Sequence, residues 1–358
     1  MMAYTNNSMN NIAHIHFGSI TIGPDSPAVI IAELACEHRG DMNAAKRLIR
    51  AAKEAGADIA KFQLHVPEEE MIGKHELMKF WAGSMDEILK EVNFGTREQH
   101  AELKAYCDEI GIQYLCTPFC IGASDILEEV AVDAYKTGSG ELTNLPMLRH
   151  MAKKGKPIIV STGMSTIEEI DDAVAVLKEE KVPFMLAHCL SEYPASYANM
   201  NLGLINKYTE RYGCMVGWSD HATDWNGVIA AVALGALVIE KHFTIRELHG
   251  PDDVVSLDPT QFKKMVADVR NIESALGDER SVSEKEVVVR SWAHHSAVTA
   301  RNIQKCEVFS SDNLVPKRPG SGIPASYLDA RYAGKLLGKR AVRDLPKDTI
   351  LTWDDVEN

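Results

Sequence analysis

The chain has 358 residues, of which 45% are hydrophobic and 25% charged, and its formal net charge is −13. This composition is that of an ordinary globular protein with a large core, long enough for two domains or for one large domain and a small appendix. The acidic balance and the lack of a Lys/Arg cluster exclude a nucleic-acid surface, because phosphate binding needs clustered positive charge. The N-terminus lacks a signal-peptide pattern and no run reaches about 18 apolar residues. We therefore expect a cytoplasmic protein without a membrane partner.

Short apolar runs and helical patterns alternate along most of the chain, after an N-terminal hairpin predicted over residues 13–23. Eight runs are strand candidates, most of them followed by a helix candidate: VIIAELA, IAKFQL, IQYLCTPF, AYKTGS, PIIVSTGM, PFMLAHC, CMVGWSD and LVIEKHF. Alternation of strand and helix predicts a parallel sheet. Eight such units predict a closed (β/α)8 TIM barrel, an α/β fold.

The alternation is interrupted once and then stops. Residues 65–96 form a long excursion behind the second strand, which is either a lid or binding loop or a plain structural insertion. We assign residues 1–280 to the barrel, 281–295 to a charged, helix-like linker and 296–358 to a compact β-rich module.

The seven cysteines form neither a CxxC pair nor a regular framework, and several lie inside apolar strand-like runs. Disulfide and zinc sites require defined spacings, which this chain lacks. We expect reduced thiols packed in the core.

The residues that end the eight apolar runs are unusually polar. In a (β/α)8 barrel the active site lies at the C-terminal ends of the strands, so these residues are the candidates for chemistry. In chain order they include Glu33, Lys61, Gln63, Thr117, Lys136, Ser139, Glu141, Ser161, Ser191, Tyr193, His221, Glu240 and His242.

Lys61 and Lys136 lie in apolar strands, where an unpaired ammonium is costly. They either form internal salt bridges with Glu33 and Glu240 or bind an anionic ligand. The convergence of two lysines, small hydroxyl residues and glycine-rich turns on one barrel mouth favours an anion site for a phosphate or carboxylate.

Two histidines close strands that are neighbours in a barrel. His221 and His242 could share a divalent metal, or each could be a core histidine satisfied by hydrogen bonds. Because side chains alternate along a strand, Glu240 shares the face of His242, and Lys241 is expected to pair on the outside.

With these residues in place, the chain resembles the sialic acid synthase family, which includes N-acetylneuraminate, pseudaminic acid and legionaminic acid synthases. The likeness covers nearly the whole chain and rests on motifs in family order: IIAELACEHRGD, AGADIAKFQLH, YLCTPF, YKTGSGELTN, IVSTGMST, SEYPA, GWSDHATD, VIEKHFT, GPDDVVSLDP and KRPGSGI. The C-terminal module then resembles the antifreeze-like (SAF) domain of these enzymes, which implies a domain-swapped homodimer.

The resemblance implies a transferase that condenses phosphoenolpyruvate with the open-chain aldehyde of an N-acylated hexosamine. The products would be phosphate and a nine-carbon 2-keto-3-deoxy acid for glycan or surface-polysaccharide biosynthesis. By resemblance, Glu33, Lys61, Lys136 and Glu141 are catalytic, whereas the substrate-binding residues are Gln63, Thr117, Ser139, Ser161, Ser191, Tyr193, Asp252 and, from the partner subunit, Arg318. His221 and His242 would hold Mn²⁺, with Mg²⁺ or Co²⁺ as alternatives.

Two positions depart from the family pattern: Arg39 stands where an Asn is common, and Ser191 replaces the usual Asn of its motif. These departures do not change the expected reaction class, but they leave the identity of the sugar open.

One rival function is another phosphoenolpyruvate synthase, making 3-deoxy-octulosonate 8-phosphate or the seven-carbon shikimate precursor, but those enzymes lack the C-terminal module. The other is a non-catalytic carbohydrate-binding protein, which would gain nothing from buried charges.

Overall fold

The computed structural model describes residues 12–72, 89, 92–277 and 279–357. The chain divides into two compact units, Met1–Asp278 and Glu279–Asn358. The predicted linker, residues 281–295, belongs to the second unit. Most of the predicted 65–96 excursion lies outside the described residues.

An antiparallel hairpin opens the first unit. Strand β1 (Ile15–Phe17) pairs with β2 (Ile20–Ile22), and Phe17 lies opposite Ile20. The turn between them needs Gly18, whose φ of 55° lies in the left-handed region that side chains disfavour.

The first unit is built around eight parallel strands: β3 (Val29–Ala35), β4 (Ile59–Leu64), β5 (Gln113–Pro118), β6 (Tyr135–Lys136), β7 (Ile158–Ser161), β8 (Phe184–Cys189), β9 (Val216–Asp220) and β10 (Val238–His242). Hydrogen-bonded ladders connect them in the order β5-β4-β3-β10-β9-β8-β7-β6. The end strands β5 and β6 contact each other, although no ladder joins them in the described chain. The sheet is a nearly closed barrel, which confirms the predicted fold class.

Helices surround this sheet: α1 (Met42–Glu54), α2 (Pro67–Glu70), α3 (Arg97–Ile110), α4 (Ile121–Glu129), α5 (Leu145–Ala152), α6 (Ile167–Glu179), α7 (Leu204–Tyr212), α8 (Asn226–Ala233) and α9 (Pro259–Ala275). Capping boxes at Thr96, Thr166 and Asp258 begin α3, α6 and α9, since each side chain accepts a backbone N–H that the helix leaves free. In the described part of the chain, no helix has both the length and the apolar character needed to cross a membrane.

The sequence pattern did not indicate α7. Its first residue follows Gly203, which provides no side-chain cap, and its buried face mixes Ile205 with Tyr208, Thr209 and Tyr212. An apolar stripe is the main signal for a helix, so a partly polar buried face hides it.

The strands bury two different cores. An outer core lies between strands and helices, and an inner core fills the barrel. The inner core is made of the hairpin and of one or two residues from each strand or from the position just before it: Ile15, Phe17, Ile22, Val29, Ile31, Ile59, Leu115, Ala134, Ile159, Met185, Ala187, Met215, Leu237 and Val238. Most of its strand members come from the N-terminal halves of the strands. The hairpin therefore closes the N-terminal end of the barrel.

The second unit begins with helix α10 (Glu284–Ala293), followed by an antiparallel pair, β11 (Ser296–Thr299) and β12 (Leu314–Lys317). Isolated bridges, for example between Ile303 and Leu345, connect its remaining segments. Its own core is small and made of residues spread along the whole module: Ala297, Ile303, Phe309, Leu314, Ile323, Leu336, Ala341, Leu345, Leu351 and Val356. It is a compact module with little regular strand.

All seven cysteines lie in the described residues and none forms a disulfide. Six are buried, as predicted for core thiols, whereas Cys306 in the second unit is exposed.

Candidate active site

Alternation of side chains along the strands directs the polar strand-end residues into the barrel. In β10, Val238 belongs to the inner core, and Glu240 and His242 follow it at intervals of two residues. In β4 the same count runs from Ile59 to Lys61 and then to Gln63. The inner core is thus apolar at the N-terminal end of the barrel and polar at the C-terminal end.

These residues surround a cavity of about 320 Å³, called here the main cavity. It brings together eleven of the predicted site residues: Glu33, Lys61, Gln63, Thr117, Lys136, Ser139, Ser161, Ser191, Tyr193, His221 and His242. A side cavity of about 310 Å³ shares Gln63, Phe119, Tyr193 and His242 with it and is further lined by Cys36, His65, Glu70, Met71, Leu89, Val92, Pro251 and Asp252. The site is therefore two-lobed, with one lobe inside the barrel and one at its mouth.

The main cavity contains a buried network of opposite charges. The ammonium group of Lys61 pairs with Glu33 and lies 3.5 Å from Oε2 of Glu240. Lys136 lies 3.2 Å from Oε1 of Glu240, which also accepts a 2.8 Å hydrogen bond from Ser219. The internal salt bridges that the sequence allowed are thus present, and two lysines balance two glutamates.

Burial and pairing shift the protonation equilibria in this network. Burial lowers the pKa of Lys61 to about 8. For Glu240, burial would raise the pKa, but the ammonium groups of Lys136 and Lys61 outweigh it and hold the pKa below its ordinary value. Glu240 is therefore ionised at neutral pH, as the paired arrangement requires.

Hydroxyl groups also line the main cavity. Ser139 and Ser161 hydrogen-bond to each other at 2.9 Å between their Oγ atoms. Oγ1 of Thr117 is buried without a hydrogen-bond partner. A buried polar atom without a partner costs roughly 1–3 kcal/mol, so its position at a cavity wall indicates a ligand that completes it.

Glu141 lines neither cavity, although it was predicted to be catalytic. Its carboxyl is partly buried, one of its oxygens lacks a hydrogen-bond partner, and burial raises its pKa to about 7. Its catalytic role stays a prediction.

The two predicted metal ligands lie beside each other at the C-terminal ends of the neighbouring strands β9 and β10, and both line the main cavity. Their ring centroids are 5.3 Å apart. Nδ1 of His221 donates a 2.8 Å hydrogen bond to the carbonyl of Leu190, so Nε2 keeps a lone pair, 3.0 Å from the hydroxyl of Tyr193. Nδ1 of His242 is buried without a hydrogen bond, 3.7 Å from Oδ2 of Asp252, and burial lowers the pKa of this imidazole well below its usual value.

These imidazoles fit a divalent cation as a partial set of ligands. A backbone carbonyl that accepts from one ring nitrogen fixes the tautomer and leaves the other nitrogen for a metal, as in many metal-binding histidines. In the described residues, however, no group of three or more His, Cys, Asp or Glu side chains is arranged to hold a metal ion. A metal held by His221 and His242 would take its remaining ligands from water or substrate.

Lys241 points away from the cavity, as predicted. Its ammonium group lies 2.6 Å from Oδ1 of Asp220 and also donates to the carbonyl of Ala222, and both charged side chains are fully buried. Oδ2 of Asp220 accepts a 2.8 Å hydrogen bond from the indole of Trp218. This outward pair braces the ends of β9 and β10.

Two predicted sugar-binding residues lie outside the main cavity. Asp252 lines the side cavity. Arg318 belongs to the second unit, where its Nε donates a 2.9 Å hydrogen bond to the carbonyl of Ala293 and its guanidinium lies 5.8 Å from the ring centroid of Trp292. Its delivery by a partner subunit stays a prediction.

The sequence reasoning assigned no role to His65, Glu70 or Phe119, which line the side cavity. Nδ1 of His65 lies 2.9 Å from Oε2 of Glu70, its Nε2 lies 3.2 Å from Oε1 of Gln63, and its ring stacks on Phe119 at 3.9 Å. Every second side chain of β4 points into the barrel, and two residues after Gln63 this alternation reaches His65. The alternation could thus have found it, whereas no pattern indicated Glu70.

The chain forms a nearly closed (β/α)8 barrel, and a cavity lined by ionisable side chains lies at the C-terminal ends of its strands. This is the usual layout of a (β/α)8 barrel enzyme. Comparison with protein families then identifies the particular family. The NeuB family model matches residues 48–281, and the SAF domain model matches residues 294–357. The chain belongs to the NeuB family and ends in a SAF domain.

Several of its relatives are named as synthases of legionaminic, pseudaminic or neuraminic acid compounds. The chain is 36% identical to N,N'-diacetyllegionaminic acid synthase of Campylobacter jejuni, covering 90% of this chain and 98% of that protein. It is 31% identical to the human N-acetylneuraminate-9-phosphate synthase, covering 94% and 95%. Among solved structures, the N-acetylneuraminic acid synthetase from Leptospira borgpetersenii has a TM-score of 0.70 and 33% identity, covering 78% of this chain and 96% of that one.

Proposed function

We propose that this protein condenses phosphoenolpyruvate with the open-chain aldehyde of an N-acylated hexosamine, giving a nine-carbon 2-keto-3-deoxy acid and phosphate for glycan biosynthesis. One observation carries the proposal: two buried lysines, several hydroxyl residues and two imidazoles converge on one cavity in a chain with relatives named as diacetyllegionaminic acid and N-acetylneuraminate-9-phosphate synthases. The SAF domain favours this reaction over the synthases that use phosphorylated aldoses.

The main cavity would take phosphoenolpyruvate. Its phosphate and carboxylate need cationic and hydroxyl partners, which Lys61, Lys136, Ser139 and Ser161 supply. The unpartnered hydroxyl of Thr117 would gain an acceptor from the same ligand. Because both lysines already pair with glutamates, the anion would compete with those carboxylates for the ammonium groups.

The side cavity would take the sugar, with its aldehyde at the boundary formed by Gln63, Tyr193 and His242. Carbon 3 of phosphoenolpyruvate attacks the aldehyde carbon, and the aldehyde oxygen gains a proton. Water then adds to carbon 2 and gives up a proton, which leaves a hydroxyl on carbon 2. That hydroxyl forms the C2=O bond as the C2–O bond to phosphate breaks, and its proton leaves with the phosphate. Glu33, paired with Lys61 in the main cavity, is our candidate to accept the proton of that water.

His221 and His242 would hold the divalent cation, Mn²⁺ in the first place and Mg²⁺ or Co²⁺ as alternatives, that polarises the aldehyde oxygen. Removing either imidazole leaves a single protein ligand. We expect His221→Ala and His242→Ala to lose turnover and metal stimulation while the protein stays folded by circular dichroism. Metal-stimulated activity near the wild-type level in either variant would contradict this assignment.

The experiment that tests the function is an assay of the full-length protein with phosphoenolpyruvate, Mn²⁺ and one acceptor at a time. N-acetylmannosamine and a diacetamido-trideoxyhexose are the first acceptors to compare. We expect phosphate release that depends on one acceptor, a product mass equal to acceptor plus the pyruvate unit, and no release with Lys136→Met. No phosphate release with any N-acylated hexosamine would overturn the proposal and favour a carbohydrate-binding protein.

A further inference from the structure

The segment that follows β3, CEHRG, contains a buried acid that the proposed chemistry does not use. The side chain of Glu37 is fully buried, and no Lys, Arg or His of the described residues forms an ion pair with it. Burial raises its pKa to about 7. A carboxyl group in such a place is costly unless its hydrogen bonds compensate, so its partners identify its role.

Both oxygens of Glu37 bind the loop between β10 and α9. Oε1 accepts a 2.8 Å hydrogen bond from the backbone N–H of Asp252, and Oε2 accepts a 2.6 Å hydrogen bond from Oγ1 of Thr244. The backbone at Gly250 packs so closely on the carboxyl that a Cβ there would overlap with it. Three independent contacts thus tie the loop after β3 to the loop after β10.

The tethered loop carries a residue of the side cavity. The carboxylate of Asp252 lines that cavity, 3.7 Å from Nδ1 of His242. The carbonyl of Asp252 accepts from the hydroxyl of Ser256 and the N–H of Val255, whereas its N–H donates to Glu37. Glu37 therefore holds the backbone amide of a residue whose side chain lines the side cavity.

We propose that Glu37 is a positioning residue that fixes Asp252 for the hydroxyl groups of the sugar acceptor. The inference rests on the proposed function for the identity of the acceptor. Because Glu37 lines neither cavity, it acts only through Asp252, and its loss should affect the acceptor and not phosphoenolpyruvate.

The kinetic test compares Glu37→Ala with Glu37→Gln. We expect Glu37→Ala to lower kcat/KM for the acceptor about tenfold or more, the range for a buried donor that loses its hydrogen-bond partner, with an unchanged KM for phosphoenolpyruvate. Glu37→Gln keeps an oxygen for the Asp252 N–H and an amide that can donate to Thr244, so it should rescue most of the acceptor kinetics. Equal effects on both substrates would overturn the positioning role.

A double-mutant cycle asks whether Glu37 acts through Asp252. If it does, Glu37→Ala combined with Asp252→Ala costs no more than Asp252→Ala alone. Additive losses would contradict the proposal.

Glu273→Ala is the matched control for a general loss of stability. Glu273 is also a buried carboxylate that accepts a backbone N–H, from Ala28 at 2.6 Å, but at the N-terminal end of the barrel. We expect a lower melting temperature and an unchanged kcat/KM for the acceptor. A kcat/KM for the acceptor lowered as much as in Glu37→Ala would assign the effect to destabilisation and overturn the inference.

Hydrogen exchange separates this inference from the proposed function. The amide of Asp252 should exchange slowly in the wild type and in Glu37→Gln and faster in Glu37→Ala, whether or not the protein has synthase activity. If the wild type is inactive with every acceptor, the proposed function fails, and the exchange data still decide whether Glu37 holds Asp252. An equally slow exchange in Glu37→Ala would refute the tether itself.

Discussion

Lys241 and Asp220 form an ion pair whose two side chains are fully buried. We predict that Lys241→Met lowers the free energy of unfolding by about 3–5 kcal/mol, because it leaves the Asp220 carboxylate buried without its cation. Urea denaturation measures this change. The control is Lys46→Met, which breaks the exposed 2.6 Å pair with Glu102 and should cost less than about 1 kcal/mol. Equal stability of Lys241→Met and the wild type would contradict the prediction.

His100 makes the stability depend on pH. Its Nε2 donates a 2.8 Å hydrogen bond to the carbonyl of Phe94, and burial lowers its pKa to about 4. The folded pKa lies below the unfolded value of about 6.5, so its contribution is complete above pH 6.5 and is lost as the pH falls towards 4. The full loss is about 3 kcal/mol, from about 1.4 kcal/mol per pKa unit.

The variant His100→Gln removes this titration. We predict that its urea midpoint falls less than that of the wild type between pH 7 and pH 4.5. His38, whose pKa burial lowers to about 3, keeps part of the acid sensitivity in both proteins. Parallel pH profiles for the two proteins would contradict the assignment to His100.

Individual residues differed in how far the sequence could predict them. The inward direction of Glu240 and the outward direction of Lys241 follow from alternation along one strand. The contacts of Glu37 with Thr244 and Asp252 join residues 207 and 215 positions apart, and no periodic pattern encodes contacts between loops. Arg318 lies in another unit, so its relation to the site came from resemblance alone.

Among the elements, the hairpin β1–β2 has a structural role at the end of the barrel opposite the site. Phe17 is 1% exposed and belongs to the inner core. We predict that Phe17→Ala lowers the free energy of unfolding by about 3–5 kcal/mol, the usual cost of removing a buried phenyl ring. The kcat of the folded protein should not change, because the hairpin lies at the N-terminal end of the barrel and the main cavity lies at the C-terminal ends of the strands.

Denaturation and initial rates on the same preparation check this prediction. His16→Ala is the control, since His16 is exposed in the same hairpin, and should change stability by about 0.5 kcal/mol or less. A large fall in kcat for folded Phe17→Ala would indicate that the hairpin communicates with the site.

Elements with strong apolar runs could be predicted from the sequence, and weakly patterned ones could not. All eight barrel strands fall within apolar runs of the sequence that carry polar residues at or near their C-terminal ends. Helix α7 was not predicted because its buried face is partly polar and its N-terminus has no side-chain cap. Strand β6 is only two residues long, Tyr135–Lys136, but it could be recognised from the run AYKTGS that contains it.

At the scale of the whole molecule, the proposed domain-swapped dimer predicts complementation between two inactive variants. Arg318→Ala keeps an intact barrel and His242→Ala keeps an intact second unit, so a mixed dimer would contain one complete site. Random pairing should restore activity to about a quarter of the wild-type sites. Deleting residues 296–358 should abolish activity for the same reason. Activity of Arg318→Ala alone, or no recovery on co-expression, would contradict delivery of Arg318 in trans.

The ladder between β3 and β10 has a consequence for the time course of folding. It connects β3–β5 with β6–β10, which no other ladder joins in the described residues, and it pairs Glu33 with His242. During synthesis at about 5–20 residues per second, β3 would wait roughly 10–40 s for β10, which lies about 200 residues further along the chain. The main cavity, which Glu240 and His242 of β10 line, is thus complete only after β10 has been made. A newly made chain can contain β3–β9 and helices α1–α8 and still lack the wall of the main cavity that β10 supplies.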